Sequence, residues 1–574
     1  MSEPPMSRFV RVLAVLLLVI EGGCESEPQT SAKPEPELET GVEPSSVAAR
    51  PEATALVPDP PATGGGSSGE LAVEPDEPTE PVPPADYGVL KFPRAAPSAD
   101  ELTHHALAGY EVVAVYELPD MEAKKVGFLR LGQRMRVTAK VEGASCRKGW
   151  HGLPQGGFAC ASKGLVVDAE RPPYMKQSPP PPRLDETYPY DWAFVRKWNT
   201  PMWWRIPRPD EFAEMQRQRE HRELTRTLEE RGANPVSATE LLALRAGSLP
   251  LPSVSSPVAS PEASPPASAG GSELGSETVS ADGAATDAAE VEPMKLPLSP
   301  DHPWLERGYF VAVVGVEKDG PRAYWRTARG AYVPKAHTFK YEAKDFAGRE
   351  LDETRTLPVG YVIKKTAALF ELDEAGKLRK RGQLERREFV DLTEAVEVNG
   401  KNYMATTDGQ LVDAARLAMP QVRPLPKGLE PWERWIDVDL SSQVLVAYEG
   451  DRPVYVTLVS TGKKGTEEEP FETPVGRWRI YSKQVTSNMD GTTATDGNYA
   501  IQDVPWVMYF DGSYALHGAF WHRSFGYVRS HGCVNLGPSD ARWLFQWTYP
   551  SLPDGWHGVH ATDSAPGTTV VVHE

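Results

Sequence analysis

Cys533 stands in the run Ser530-His531-Gly532-Cys533-Val534-Asn535, and three histidines, His517, His522 and His531, lie within the sixteen residues before it. A free thiol titrates near pH 8.5, at about 8–9, so at neutral pH it is mostly protonated, and the nucleophile is the thiolate. A neighbouring imidazole can take that proton and later return one to a leaving or entering amine. The glycine before the cysteine lets backbone approach a substrate carbonyl. The amides of Gly532 and Cys533 would then face a developing oxyanion. Nucleophile, base and hydrogen-bond donors are the parts of an acyl-transfer site. His522 is the rival base to His517. His531, two residues from the cysteine, would share its face in a strand and so support the site without transferring protons.

These residues need a β scaffold, and the flanking sequence reads as one. Ile436, Val438 and Leu440 alternate, Val444, Val446 and Tyr448 follow, and Val454, Val456 and Leu458 come after the turn at Glu449-Gly450-Asp451. This is the period of a β-meander. Trp478 to Tyr481, Val507 to Phe510 and Tyr514 to Leu516 are further strands, the last delivering His517-Gly518. Pro538 opens an expected helix with Ala541, Leu544, Phe545 and Trp547 on its apolar face. Arg529 is positioned to meet a substrate carboxylate or simply to sit on the surface. Trp506, Tyr509, Trp521 and Trp556 would line a cleft or pack, and packing is the default.

With these landmarks in order, the span from His517-Gly518 to Asn535 resembles the signature of L,D-transpeptidases of the YkuD type, as do Ser460-Thr461-Gly462 and Thr473-Pro474-Val475-Gly476. The resemblance covers residues 433–573. It implies that Cys533 is the nucleophile and His517 the general base and acid, with Gly532, Ser530, His531 and Asn535 shaping the pocket beside His522. It implies a substrate as well: the bond between a diamino acid and D-Ala in a peptidoglycan stem peptide, cleaved through a thioester that an amine takes up to give a 3→3 cross-link. Carbapenems are the implied inhibitors, and no cofactor or metal is needed. An L,D-carboxypeptidase, a ligase joining protein to peptidoglycan, and an inactive wall-binding protein stay open. A zinc site built from the three histidines and Cys533 fits no common spacing. A papain-like enzyme would place its cysteine before its histidine.

The rest of the chain divides by composition. All 15 tryptophans lie outside residues 1–149 and 205–303, and eight fall between Trp432 and Trp556. Residues 25–88 hold 14 acidic and 2 basic side chains, and 251–300 hold 7 and 1, so these stretches carry −12 and −6 of the formal −19. The remainder is nearly neutral, and no basic stripe suited to nucleic acid stands out. Residues 25–98 read as a disordered acidic Pro-rich tether, and 248–302 as a disordered Ser/Ala/Pro-rich linker. Residues 108–168 resemble bacterial SH3-like modules. Residues 186–247 are a mixed segment with a charged helix over Asp210–Arg231, and 305–420 hold one or more β-rich modules. The stretch 157–164 weakly echoes 401–409. The expected fold is mainly β and multidomain, ending in an L,D-transpeptidase-type β-sandwich or meander with a short helix after the cysteine.

Export is expected from the N-terminus. Arg8 and Arg11 precede the apolar run Val12–Ile20, the form of a secretory signal in residues 1–24. Nine residues are too few to span a bilayer, which takes about 20. Glu21-Gly22-Gly23-Cys24 resembles a lipobox, although Glu21 departs from its apolar preference. Cys24 would then be lipidated, the membrane would be met only through that anchor, and the protein would reside in the cell envelope or periplasm. Of the four cysteines, Cys146 and Cys160 could pair in an oxidising compartment, which leaves Cys533 as the free thiol.

Overall fold

The computed structural model describes residues 83–230 and 294–574, apart from 301, 344, 468 and 492–498. The expected signal, Cys24, most of the tether, and most of the linker lie outside the described residues. The described part is mainly β.

Residues 433–573 form two sheets around one core. The first has the strand order Arg349–Glu350, Arg452–Leu458, Val444–Glu449, Arg434–Asp439, Thr569–His573, Gly476–Arg479. Its middle is the expected meander, with Ile436 opposite Ala447 and Val446 opposite Val456. The second contains Ser482–Gly491, Tyr499–Asp511, Tyr514–Gly518 and Val534–Leu536. Ile436, Val438 and Leu445 of the first meet Met508, Leu516 and Val534 of the second, and Ala541, Leu544 and Phe545 of the helix Pro538–Trp547 close the same core. Trp506 is part of this core. It sits at φ 58° and donates its indole N–H to the Thr187 carbonyl at 2.7 Å.

The second sheet does not stop at the domain boundary. It runs on through Phe310–Asp319, Arg322–Thr327 and Tyr332–Pro334 on one side. On the other it passes through Gly558–His560 to Lys125–Arg130 and Val112–Tyr116. Trp556 is buried with Val113, Leu129 and Leu153 of the N-terminal module, so it packs there and lines no cleft. The modules are therefore fused by backbone hydrogen bonds. A buried ion-pair cluster pins the same junction: Arg130 donates to Asp503 and to Thr486 Oγ1 (2.7 Å), and Arg329 lies 3.5 Å from Asp503. Two opposed guanidiniums hold the Asp503 carboxyl far below the usual carboxylate range despite its burial.

Two boundaries differ from the sequence reading. The tether expected to reach residue 98 ends earlier: Tyr87 packs edge-on against Trp432 and Tyr549, and Leu90 is buried in the N-terminal core. The linker expected to reach 302 also ends earlier, since Leu296 and Leu298 pack around Trp203. Both stretches are polar on average, and a few apolar anchors are enough to order them. The charged helix spans Pro209–Glu230, with Met215 and Leu228 buried.

Residues 305–420 hold two modules. The strands from Phe310 to Tyr341 assemble with Asp191–Val195, so the first is completed from residues on the far side of the linker. Val359–Ala418 makes a separate seven-stranded sheet. The echo noted in the sequence has a third copy. Phe158, Tyr324 and Tyr403 are each followed six residues later by a glycine at positive φ (Gly164, Gly330, Gly409) and nine residues later by Val167, Val333 or Val412. In each copy the glycine turns one strand into the next, a left-handed conformation that other residues resist. Cys146 and Cys160 are joined by a disulfide in the first module, with Cα atoms 5.9 Å apart.

Lys483 is buried with no carboxylate partner among the described residues. It is 1% exposed, donates to the Thr548 carbonyl at 2.6 Å and lies over the Phe545 ring. Burial pulls its pKa down to about 7. A lysine titrating lower when folded than when unfolded loses stability as pH falls from about 10.5 to about 7. Lys483→Met should therefore raise the melting temperature at pH 7, by the equivalent of on the order of 2 kcal/mol after the lost hydrogen bond is counted. It should also flatten the dependence of melting temperature on pH between 7 and 10, which thermal scans across that range would show.

Candidate active site

Tyr514–Gly518 and Val534–Leu536 run parallel, with His517 opposite Asn535 and Leu516 opposite Val534. Cys533 immediately precedes the second strand. It therefore lies two residues before Asn535, the residue opposite His517. Trp521 touches both neighbourhoods: its ring stacks on His517 (centroids 5.8 Å apart, 22° between planes) and packs in the apolar cluster that includes Cys533. Tyr509 and Tyr341 pack in that cluster too, so the module of Phe310–Tyr341 forms one wall of the site.

Cys533 is half-buried and unpaired. Its thiol lies 3.6 Å from the Ser513 carbonyl, which can accept the S–H. Burial pushes the thiol up to about 11, against the pull of the Ala515 amide. His517 is 2% exposed, and burial brings its imidazole down to about 4, opposed by its contact with the Gly518 carbonyl. Nδ1 lies 3.4 Å from that carbonyl. A proton on Nδ1 satisfies the oxygen and leaves Nε2 as the basic nitrogen. The resting pair is therefore neutral thiol and neutral imidazole.

His522 is disposed differently. Its Nδ1 accepts the Ser524 amide at 3.1 Å, so the neutral ring must carry its proton on Nε2. Nε2 is 2.8 Å from the Asn535 side-chain amide, whose other polar atom, Oδ1 as placed, is buried without a partner. Turning that amide over gives the Nε2 proton an oxygen to meet. Both ring nitrogens are then occupied, and burial first, then Arg529 and His517, keep this ring neutral with a pKa of about 3. His531 stacks on Tyr499 and meets Phe471 edge-on. It is a wall of the pocket.

The loop before the cysteine is braced by neighbouring chain. Ser530 Oγ donates to the Cys533 carbonyl and accepts the Gly532 amide at 3.2 Å. Of the two amides expected to receive an oxyanion, Gly532's is thus committed to Ser530, and Cys533's is the one that contact leaves open. Thr473 Oγ1 donates to the Gly532 carbonyl at 2.7 Å and accepts the Gly462 amide at 2.9 Å. Asn535 exchanges backbone bonds with Ser460 in both directions, each 3.0 Å. These contacts show what Ser460-Thr461-Gly462 and Thr473-Pro474-Val475-Gly476 do: they hold the loop of Cys533 from the side. Gly532 sits at φ 115°, and a Cβ there would come within 2.3 Å of the Tyr514 ring. The Ala515 amide and the Ser513 and Gly518 carbonyls, all main-chain groups, escape a reading based on side-chain types. No group of His, Cys, Asp and Glu suited to a metal occurs among the described residues.

Residues 433–572 match the family model of the L,D-transpeptidase catalytic domain, YkuD. They carry a catalytic domain of that kind. Among solved structures, the chain is similar to an L,D-transpeptidase (residues 123–326) from Xylanimonas cellulosilytica, at 26% identity over 26% of this chain and 64% of that one, TM-score 0.18. It is also similar to an L,D-transpeptidase from Stackebrandtia nassauensis, at 24% identity over 26% of this chain and 58% of that one, TM-score 0.19. A third is the catalytic domain of the E. faecium L,D-transpeptidase acylated by ertapenem, at 24% identity over 25% of this chain and 100% of that one, TM-score 0.20. The chain thus spans less than two-thirds of the first two. No curated protein matches.

The neutral resting pair has a consequence in pH. His517 takes a proton only near pH 4, so the acid limb of acylation should fall there and not near the ordinary histidine value of about 6.5. With the thiol pushed up to about 11, alkylation of Cys533 by iodoacetamide should be slow at pH 7 and still rising above pH 9. A rate already level between pH 6 and 8 would instead reveal a standing thiolate–imidazolium pair.

Proposed function

We propose that the chain is a peptidoglycan L,D-transpeptidase whose nucleophile is Cys533 and whose base is His517. The observation that carries this reading is the pairing of the strand that holds His517 with the strand that Cys533 immediately precedes, together with the difference between the two buried histidines. His522 has both nitrogens engaged, whereas His517 is oriented by the Gly518 carbonyl with Nε2 left over. Position and an available lone pair favour His517 as the base.

The chemistry follows from those atoms. The carbonyl of the diamino acid enters beside Sγ, and the thiol proton passes to His517 Nε2 as sulfur bonds to carbon. Negative charge gathers on the carbonyl oxygen, towards the Cys533 amide. As the amide bond breaks, the D-Ala nitrogen leaves with the proton from His517, and a thioester remains on Cys533. An acceptor amine then attacks the thioester and gives its proton to His517. That proton returns to sulfur when the new amide forms. A neutral resting thiol suits the sequence, because charge appears only once substrate has displaced water.

The site would act outside the cytoplasm, held by a lipid on Cys24. The disulfide between Cys146 and Cys160 supports an oxidising compartment. The repeated β modules, read as SH3-like, would serve as supports for the catalytic domain.

The test is incubation of the purified chain with disaccharide-tetrapeptide followed by mass spectrometry. A dimer that has lost one D-Ala is expected; tripeptide alone would make the enzyme a carboxypeptidase. Intact mass after treatment with a carbapenem should show one adduct, absent in Cys533→Ala. His517→Gln should slow formation of that adduct by roughly 10²-fold or more, while His522→Gln should act mainly through stability. Equal loss of rate in the two histidine variants, with both folded, would undo the assignment of the base.

A further inference from the structure

The module Val359–Ala418 grips the loop between His517 and Cys533, and it does so with cations. Arg387 donates to the Arg523 carbonyl, and Arg386 donates to the Phe525 carbonyl at 3.3 Å while lying over the Tyr527 ring at 4.5 Å. The Tyr527 hydroxyl in turn donates to the Ile363 carbonyl at 2.6 Å. Lys364 and Lys365, both exposed, follow Ile363, and the Arg386 amide bonds the Lys365 carbonyl at 3.1 Å. Five cationic side chains, Lys364, Lys365, Arg386, Arg387 and Arg523, are thus gathered at one edge of the catalytic loop.

Among the described residues, none of the five has a carboxylate oxygen within the 4.0 Å of an ion pair. The acids nearest in sequence are Glu385 and Glu388, and Glu388 accepts the Glu385 amide at 2.6 Å. The buried Nε of Arg386 has no partner. This is unusual in a chain with 80 acidic and 61 basic residues. The backbone contributes as well: Arg387 sits at φ 70°, a left-handed conformation costly for a residue with a side chain. Burial, and then repulsion from Arg523 and Arg386, make the Arg387 guanidinium easier to deprotonate than usual. Strain, crowding of like charge and missing counter-ions all point to an anion supplied from outside.

We propose that this patch binds the free carboxylates of an acidic peptide strand entering the site, so that it selects substrates that carry several such groups. The proposal rests on the transpeptidase reading and adds to it a preference for un-amidated stems. Guanidiniums suit the task because their fixed fork matches a carboxylate in two places. Several cations without a carboxylate partner suit a ligand with more than one negative charge.

The experiment compares two disaccharide-tetrapeptides, one with its carboxylates free and one with its side carboxylates amidated, on the full chain and on Lys364→Gln and Arg523→Gln. The full chain should favour the free-carboxylate stem by about tenfold in kcat/KM, through KM, and the preference should shrink as salt is raised. Each variant should lose most of that preference with kcat within about twofold of the unaltered chain. Carbapenem acylation followed by intact mass checks that Cys533 remains competent. Equal use of both stems by the unaltered chain, or equal loss for both in the variants, would overturn the proposal while leaving the nucleophile assignment intact. If neither stem is turned over, the transpeptidase reading fails. The patch is then judged by fluorescence anisotropy of the same two peptides, labelled, on Cys533→Ala: tighter binding of the free-carboxylate peptide supports it, and equal binding rejects it.

Discussion

Parallel pairing between Tyr514–Gly518 and Val534–Leu536 is the constraint on which the site depends. It pairs residues eighteen apart in the chain and sets His517 opposite Asn535, which leaves Cys533 two residues from that pair. Such a pairing needs a crossover, and here the crossover is the loop 519–533, which itself carries Trp521, His522 and the serine that braces the cysteine. The loop is held from inside by Ser530 and Ser524 and from outside by neighbouring chain. Ser460 and Thr473 secure one side of it, and Arg386 and Arg387 from the preceding module hold the other. A loop with irregular backbone stays fixed only when its polar groups find partners, and this one finds them in two different modules.

Burial then sets the chemistry. The same low-polarity surroundings move the thiol up and the imidazole down, so neither is charged at rest. His517 and His522 are both buried, both neutral and only five residues apart. They differ in hydrogen bonding, since a main-chain carbonyl meets Nδ1 of one ring while an amide and Asn535 use both nitrogens of the other.

The modules before the catalytic domain are continuous with it. A strand of the second module pairs with Tyr499–Asp511, and the N-terminal module joins through Gly558–His560. Because a sheet transmits register, movement of either module would disturb the strands behind the site. The buried ion pair of Arg130 and Asp503 sits at that junction, with Arg329 beside it. The two charges of the pair would be costly to separate, since each would be left uncompensated.

The sequence alone determined the candidate nucleophile, the candidate bases, the β character of the last 140 residues and the helix after Pro538, because these are local: a motif, an alternation, a proline before an apolar stripe. It also exposed one echo between modules, though the copy at Tyr324 went unnoticed because its flanking residues differ while its glycine and valine spacing does not. Where Trp506 and Trp556 point, which histidine keeps a free nitrogen, why Gly532 cannot be larger, and the gathering of five cations beside the catalytic loop were decided by tertiary structure. Each of these depends on which distant backbone or ring comes to lie alongside. That is a property of strand pairing across tens or hundreds of residues, and no local pattern encodes it.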